Sequence, residues 1–277
     1  TKGPTGLPEV LFGSMPRDGG YLNFEREIAD KIREQYPEAA HFVKRYMGSQ
    51  ELLQDVERYC LWIEDSPENI KIANSVPEIH QRLLAVSAER EASNAASTRA
   101  YANRPHMFVQ RAYKPTDAIL IPRVSSERRM YVPIGYVNKN TVISDSAFAV
   151  YNAEKWLFAV LTSRMHNIWV RAVGGSLETR IRYSQTLCYN TFPFPKLTTA
   201  EKEELEHHAQ NILNIRDENY DMTLGEMYNP ESMPDELREA HHQLDLAVER
   251  IYRPEPFTSD EERLEHLFKL YSKMTKK

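Results

Sequence analysis

The stretches Ala118-Ile119-Leu120-Ile121-Pro122-Arg123, Met130-Tyr131-Val132-Pro133-Ile134 and Thr141-Val142-Ile143 are short apolar runs. Turn-forming residues bound them, so they predict strands. Past residue 197 the periodicity changes to helical. Thr198 with Glu201 forms a capping box ahead of Leu205, Ala209, Ile212 and Leu213, which fall on one helix face. Pro234 opens a second helix (Leu237, Leu244, Val248, Ile251), and Ser259 with Glu262 caps a third (Leu264, Leu267, Phe268, Tyr271). Strands followed by a purely helical tail predict an α+β chain, a mixed α/β domain followed by an all-α C-terminal domain.

Working outward, Pro4, Pro8, Pro16 and the turn Asp18-Gly19-Gly20 predict an extended linker with a tight turn. Phe24, Ile28, Ile32 and Tyr36 predict a helix over 23–36, stopped before Pro37. Arg58-Tyr59-Cys60-Leu61-Trp62-Ile63 predicts a short strand, and Pro77 starts a long helix carrying Ile79, Leu83 and Val86. Trp156, Leu157, Val160 and Leu161 predict a helix over 153–166, followed by Ile168–Val173 and a turn at Gly174-Gly175.

The chain has 277 residues, 41% hydrophobic and 27% charged, which excludes wholesale disorder and suffices for a large buried core. No apolar run approaches the roughly 18 residues of a membrane span. Two cysteines, Cys60 and Cys188, make neither a disulfide framework nor a zinc site, so the expected compartment is a reducing cytoplasm. The opening Thr1-Lys2-Gly3 has no methionine and no leader pattern, as expected of an internal piece of a longer chain. Charge is segregated: residues 1–71 carry −4, residues 72–197 carry +8 and residues 198–277 carry −9. Three regions follow: a linker and helical lead-in (1–71), a basic central domain (72–197) and a helical C-terminal domain (198–277). Most cations of the centre are arginine, suited to bidentate contact with phosphate or guanine, or equally to surface ion pairs.

Catalytic patterns are missing from the sequence: no glycine-rich dinucleotide or phosphate loop, no His-Glu-x-x-His and no Gly-x-Ser-x-Gly. The pairs His207-His208 and His241-His242 point about 100° apart on helices and are expected at solvated surface rather than on a metal. Cys188 lies in an apolar-aromatic stretch and is expected in the core. The informative segment is Leu177-Glu178-Thr179-Arg180-Ile181-Arg182-Tyr183. On a strand, Glu178, Arg180 and Arg182 would share one face while Leu177, Ile181 and Tyr183 turn to a core. A carboxylate accepts from cytosine N4 and an arginine donates twice to guanine, so this face suits base reading. A solvent-exposed strand with cross-strand pairs accounts for the same pattern. Arg123 and the cluster Arg128-Arg129 could add phosphate contacts or be ordinary surface.

Three blocks carry a resemblance. They are Pro122-Arg123-Val124-Ser125-Ser126-Glu127-Arg128-Arg129 with Tyr131 and Pro133-Ile134-Gly135; Leu161-Thr162-Ser163-Arg164-Met165-His166 with Trp169-Val170-Arg171; and Arg182-Tyr183-Ser184 with Tyr189-Asn190, Phe192-Pro193 and Pro195. Together they resemble the target-recognition region of the MmeI-like family of fused restriction–modification enzymes and DNA adenine methyltransferases. Gly13-Ser14-Met15-Pro16, Gly48-Ser49 and Met233-Pro234 match in the same order, so the likeness runs over nearly the whole chain. Thr191 and Phe194 depart from it, standing where Asn and Trp are common.

The resemblance implies a specificity module: a target-recognition domain and a helical C-terminal domain, with no catalytic residues and no cofactor of its own. S-adenosylmethionine, and magnesium where a nuclease is present, would belong to the parent chain. Its implied partners are double-stranded DNA and the methyltransferase domain of the same parent, with no membrane. Base-reading pairs are implied at Glu178 with Arg180 and at Arg123 with Asp145, with Arg182 as a third position. Arg128, Arg129, Arg164 and Arg171 are expected to hold phosphates. The rival expectation is a module that uses its acidic helical tail to dock a protein subunit, without reading bases.

Overall fold

The computed structural model describes residues 3–276; Thr1, Lys2 and Lys277 lie outside the described residues. Strands and helices are numbered in chain order. All five residues of β5 (Ala118–Pro122) are buried. Ile119 and Ile121 enter one apolar core while Ala118 and Leu120 enter another on the opposite face. An uninterrupted apolar run is what a strand covered on both faces requires. β5 pairs antiparallel with β7 (Gly135–Val137) and β9 (Ala147–Tyr151), and β1 (Leu11–Phe12) completes this sheet beside β9.

A second sheet runs in the order β2 (Asn23–Phe24), β4 (Tyr59–Leu61), β3 (Val43–Met47) and β8 (Thr141–Ile143), antiparallel except for the parallel β3–β8 pair. A third, small antiparallel sheet joins β10 (Gly175–Leu177), β11 (Arg180–Arg182) and β6 (Val124–Ser125). β1 and β3 therefore tie the N-terminal 71 residues to strands of the centre. The charge changes sign near residue 71, but the strand pairing does not break there.

Helices α1 (Arg26–Gln35), α3 (Pro67–Ser75) and α4 (Pro77–Glu91) bury Ile32, Ala73, Ile79, Leu83 and Val86 against Cys60 and Leu61 of the second sheet. The short α2 (Ser49–Gln54) follows β3, and α5 (Ala96–Arg99) follows α4. The helix expected over 153–166 is two helices, α6 (Lys155–Thr162) and α7 (Arg164–Val173). Ser163 divides them: its backbone is extended, and its side chain accepts the His166 N–H that opens α7.

The tail holds α8 (Thr199–Glu218), the four-residue α9 (Leu224–Met227), α10 (Asp235–Tyr252) and α11 (Asp260–Thr275). Thr198 and Glu201 cap α8 reciprocally, and Ser259 accepts from Glu262 N at the start of α11. Leu205, Ile212, Leu244, Val248 and Leu267 from the tail share one core with Ile119, Phe148 and Trp169 of the preceding domain. No helix among the described residues is long and apolar enough to cross a membrane.

One expected strand is absent. Residues 130–134 form an extended loop that ends where β7 begins at Gly135. Pro133 has no N–H for a ladder. Val132 N–H donates to Asn167 Oδ1 (2.7 Å), and the Tyr131 hydroxyl to Asp245 Oδ2 (2.5 Å). Tyr131, Val132 and Ile134 are buried, with Val132 bonded to α7 and Tyr131 to α10, whereas Met130 is exposed.

Candidate nucleic-acid interface

β10 and β11 form a hairpin in which Leu177 stands opposite Arg180, leaving Glu178 and Thr179 as the turn. Glu178 adopts a φ of +58°, in the left-handed region. It therefore crowns the hairpin instead of sharing a strand face with the two arginines. Arg180 and Arg182 do share one, being two residues apart on β11. Leu177 lies on that same face, across from Arg180, and is 44% exposed instead of entering the core. On the opposite face Ile181 packs against the main core, and Tyr183 is buried, its hydroxyl 2.9 Å from His166 Nε2.

At the tip, Arg180 NH2 donates to Glu178 Oε2 at 3.0 Å. The two side chains are 47% and 76% exposed, so little desolvation holds the pair together. Each can exchange the other for an external partner: an acceptor at Glu178, a planar donor fork at Arg180.

Arg123 and Asp145 also come together, though not through the carboxylate. Arg123 NH1 donates to the Asp145 backbone carbonyl at 3.2 Å while its guanidinium lies 5.1 Å from the centre of the Phe12 ring. Tyr183 N–H donates to the Arg123 carbonyl (2.9 Å), docking the end of β11 beside it. Arg123 and Arg182 line one cleft of about 310 Å³ together with Ser184, Thr186 and Leu187. Asp145 lines a neighbouring cleft with Asn23, Ser49, Gln50 and Arg58.

The loop carrying Asp145 is held by motif residues whose role the sequence did not disclose. Ser49 Oγ donates to the Ser146 carbonyl (2.6 Å), and Ser49 N–H donates to Ser146 Oγ (3.0 Å). A Cβ on Gly48 would lie 1.9 Å from Ser146 Oγ, and one on Gly13 would lie 1.9 Å from the Ser144 carbonyl oxygen. Only glycine permits these approaches. The available signal was their presence in the matching blocks.

The four arginines expected on phosphates gather elsewhere, around the seam between the central domain and the tail. Arg164 forms a two-pronged pair with Asp260 of α11, Nε–Oδ1 2.7 Å and NH2–Oδ2 2.9 Å. Arg171 donates to the Glu127 carbonyl (3.0 Å) and to the Arg129 carbonyl. Arg128 pairs with Glu231 of the tail. Arg129 is half-buried, and burial lowers its guanidinium pKa from the ordinary arginine value. Arg128, Arg164 and Arg171 line a cleft of about 900 Å³ that shares no residue with the one holding Arg123 and Arg182. Arg164 and Arg171 thereby supply donors to a carboxylate and to carbonyls at the seam, whereas the Arg128 side chain stays 60% exposed beside Glu231.

Two histidine readings divide. His241 is fully buried, correcting the expectation of a solvated pair; it stacks on Tyr131 (4.2 Å), and its Nε2 lies 2.6 Å from the Tyr228 hydroxyl. His242, next in sequence, is exposed. Cys188 is buried, and burial pushes its thiol up to about 11. No group of three or more His, Cys, Asp or Glu side chains among the described residues is placed to hold a metal ion.

Residues 1–196 match the family model described as MmeI, target recognition domain, and residues 197–277 the one described as MmeI, C-terminal domain. The chain belongs to the MmeI family. It is 44% identical over 279 aligned residues to DNA methyltransferase A of Bacillus subtilis (strain 168), covering all of this chain and 31% of that protein. It is also similar to the type IIL restriction-modification enzyme MmeI, solved in complex with DNA, at 34% identity and a TM-score of 0.88, over 99% of this chain and 37% of MmeI. The chain thus spans about a third of the length of these MmeI-family relatives. The two MmeI domains meet just before the Thr198 cap of α8, and between them they include no methyltransferase or nuclease domain.

Proposed function

We propose that this MmeI-family segment reads a short sequence of duplex DNA for a longer adenine-N6 DNA methyltransferase or restriction–modification enzyme. The observation that carries the reading is the exposed Glu178–Arg180 pair at the hairpin tip, with Arg182 on the same strand and the Arg123–Asp145 contact beside it. On docking, the Glu178 carboxylate accepts from a cytosine N4 amine while Arg180 donates to O6 and N7 of a guanine. Arg123 with Asp145 reads a second base pair and Arg182 a third. Of the four seam arginines, Arg128 has a side chain that its ion pair leaves 60% exposed, and it supplies a phosphate contact.

The methyltransferase domain of the parent, acting in the cytoplasm, then takes an adenine out of the stack and methylates it from S-adenosylmethionine. Any magnesium belongs to a nuclease elsewhere in the parent. The test is selection of bound duplexes from a random pool over a salt series. Enrichment of a short motif with affinity falling steeply in salt is expected. No binding at low salt would overturn the reading. Glu178→Lys with Arg180→Asp is expected to change preference at one base pair and leave the others.

A further inference from the structure

The turn that follows β11 carries a different chemistry from the hairpin. Ser184 is extended and its Oγ accepts from Leu187 N–H (3.3 Å), while Asn190 N–H donates to the Gln185 carbonyl (3.0 Å). These bonds close one π-helical turn over Gln185–Tyr189, a form that recurs at functional sites. The turn is anchored from below. Cys188 and Tyr189 are fully buried, and the Tyr189 hydroxyl donates to the Pro8 carbonyl at 2.8 Å. The Leu187 carbonyl accepts from the Thr191 hydroxyl, whose oxygen accepts from Trp169 Nε1–H at 3.1 Å. The backbone beneath Gln185 and Leu187 is therefore held on both sides.

Gln185 and Leu187 line the same cleft of about 310 Å³ as Arg123 and Arg182. The two arginines suit guanine, but their two neighbours offer something else. Gln185 is half-buried, and its amide makes no hydrogen bond among the described residues, so its oxygen and its N–H groups are open to a partner from outside. Leu187 is exposed, although covering a leucine side chain fully is worth about 1.5–3 kcal/mol. An open amide thus stands beside an uncovered apolar group. Gln185 comes three residues after Arg182, which spans at most about 10 Å, or roughly three base-pair steps of about 3.4 Å.

We infer that Gln185 and Leu187 are specificity-determining residues that read an A·T base pair close to the position read by Arg182. At the major-groove edge adenine presents N7 as an acceptor and its N6 amine as a donor, and a single amide meets both. Guanine would set O6 against the amide oxygen, acceptor against acceptor. Thymine presents its C5 methyl, which takes an apolar neighbour such as Leu187. The hairpin arginines favour guanine, and this turn supplies the A·T part of the target. The inference rests on the proposed base-reading function, but the two fail separately.

The test is motif selection from random duplexes with the full chain and its Gln185→Ala, Gln185→Glu and Leu187→Ala variants. Gln185→Ala is expected to lower the preference for A·T over G·C at one base pair by about 5- to 140-fold and to leave the other positions intact. Gln185→Glu keeps the shape but only accepts, so the preference there should move from adenine to cytosine. Defined duplexes then separate the two contacts. Putting 7-deazaadenine at that pair should weaken binding of the wild type but not of Gln185→Ala. Putting deoxyuridine in place of the thymine should weaken the wild type but not Leu187→Ala. A wild-type motif with no A·T pair, a motif unchanged in both Gln185 variants, or a loss spread evenly over every position would overturn this inference and spare the base-reading function. Failure of the wild type to select any motif would overturn both.

Discussion

Arg164 and Asp260 meet in a two-pronged ion pair that fastens the start of α11 to the start of α7. The adjoining Arg164 N–H donates to Asp245 Oδ1 of α10 at 2.7 Å, so one residue binds two tail helices to the reader. The pair is partly solvated, with side chains 31% and 44% exposed, which limits its strength. Arg164→Ala is expected to lower stability by about 1–2 kcal/mol. Asp260→Asn should cost a similar amount, and the double variant less than their sum. Urea unfolding of the three variants checks this. Additive losses would show that the pair is not coupled.

Stability and reading should part company at Glu178. A left-handed backbone costs a residue with a Cβ roughly 1–2 kcal/mol, and Asn tolerates it better. Glu178→Asn is therefore expected to raise the unfolding midpoint modestly while weakening discrimination at one base pair. The check is thermal unfolding paired with motif selection on the same protein.

Gly13 bears on the second pair proposed to read a base pair, Arg123 with Asp145. A methyl group there would collide with the Ser144 backbone, 1.9 Å from its oxygen and 2.3 Å from its carbon. Gly13→Ala is expected to cost about 1–3 kcal/mol through forced movement of the 144–146 loop. The base pair assigned to Arg123 and Asp145 should lose definition, whereas the one assigned to Glu178 and Arg180 should not. Selection profiles that are uniformly affected would refute this division.

The interior predicts acid lability. His166 is buried against Phe192, and burial alone lowers its pKa to about 3 from an ordinary 6.5. Below pH 6.5 the unfolded chain takes up a proton that the folded one refuses, so stability falls as pH drops towards 3, by up to about 1.4 kcal/mol per unit. Asp245 acts in the opposite sense: burial raises its carboxyl to about 7, so its contribution is lost as pH rises from about 4 to 7. His166→Gln is expected to flatten the acid limb, and Asp245→Asn to steepen it. Urea midpoints from pH 4 to 7 for wild type and both variants separate the two.

Much of this architecture was legible in the sequence because local signals and the fold agree. The Thr198–Glu201 box, the Pro234 start and the Ser259 cap open the three long tail helices, and Ile119 and Leu120 are buried on opposite faces as their unbroken apolar run demands. Readings failed where a side chain replaced a backbone partner. Asn167 takes the Val132 N–H that a ladder would have used, and Ser163 caps a helix inside an apolar stretch that reads as continuous. His241 looked like one of a solvated pair because its partners, Tyr131 and Tyr228, lie far along the chain. At the candidate site the residue types were legible and their placement was not. Alternation along residues 177–183 assumes one strand, whereas the chain turns at Glu178.

The small sheet that carries the hairpin leaves Leu177, Glu178, Arg180 and Arg182 exposed, while Ile181 reaches the core from the opposite face. Apart from the left-handed position at Glu178, side-chain identity at these exposed positions carries little of the free energy of folding. Single substitutions at Leu177, Arg180 and Arg182 therefore need no compensating change in the interior. The tip can thus change its chemistry while the interior keeps its packing.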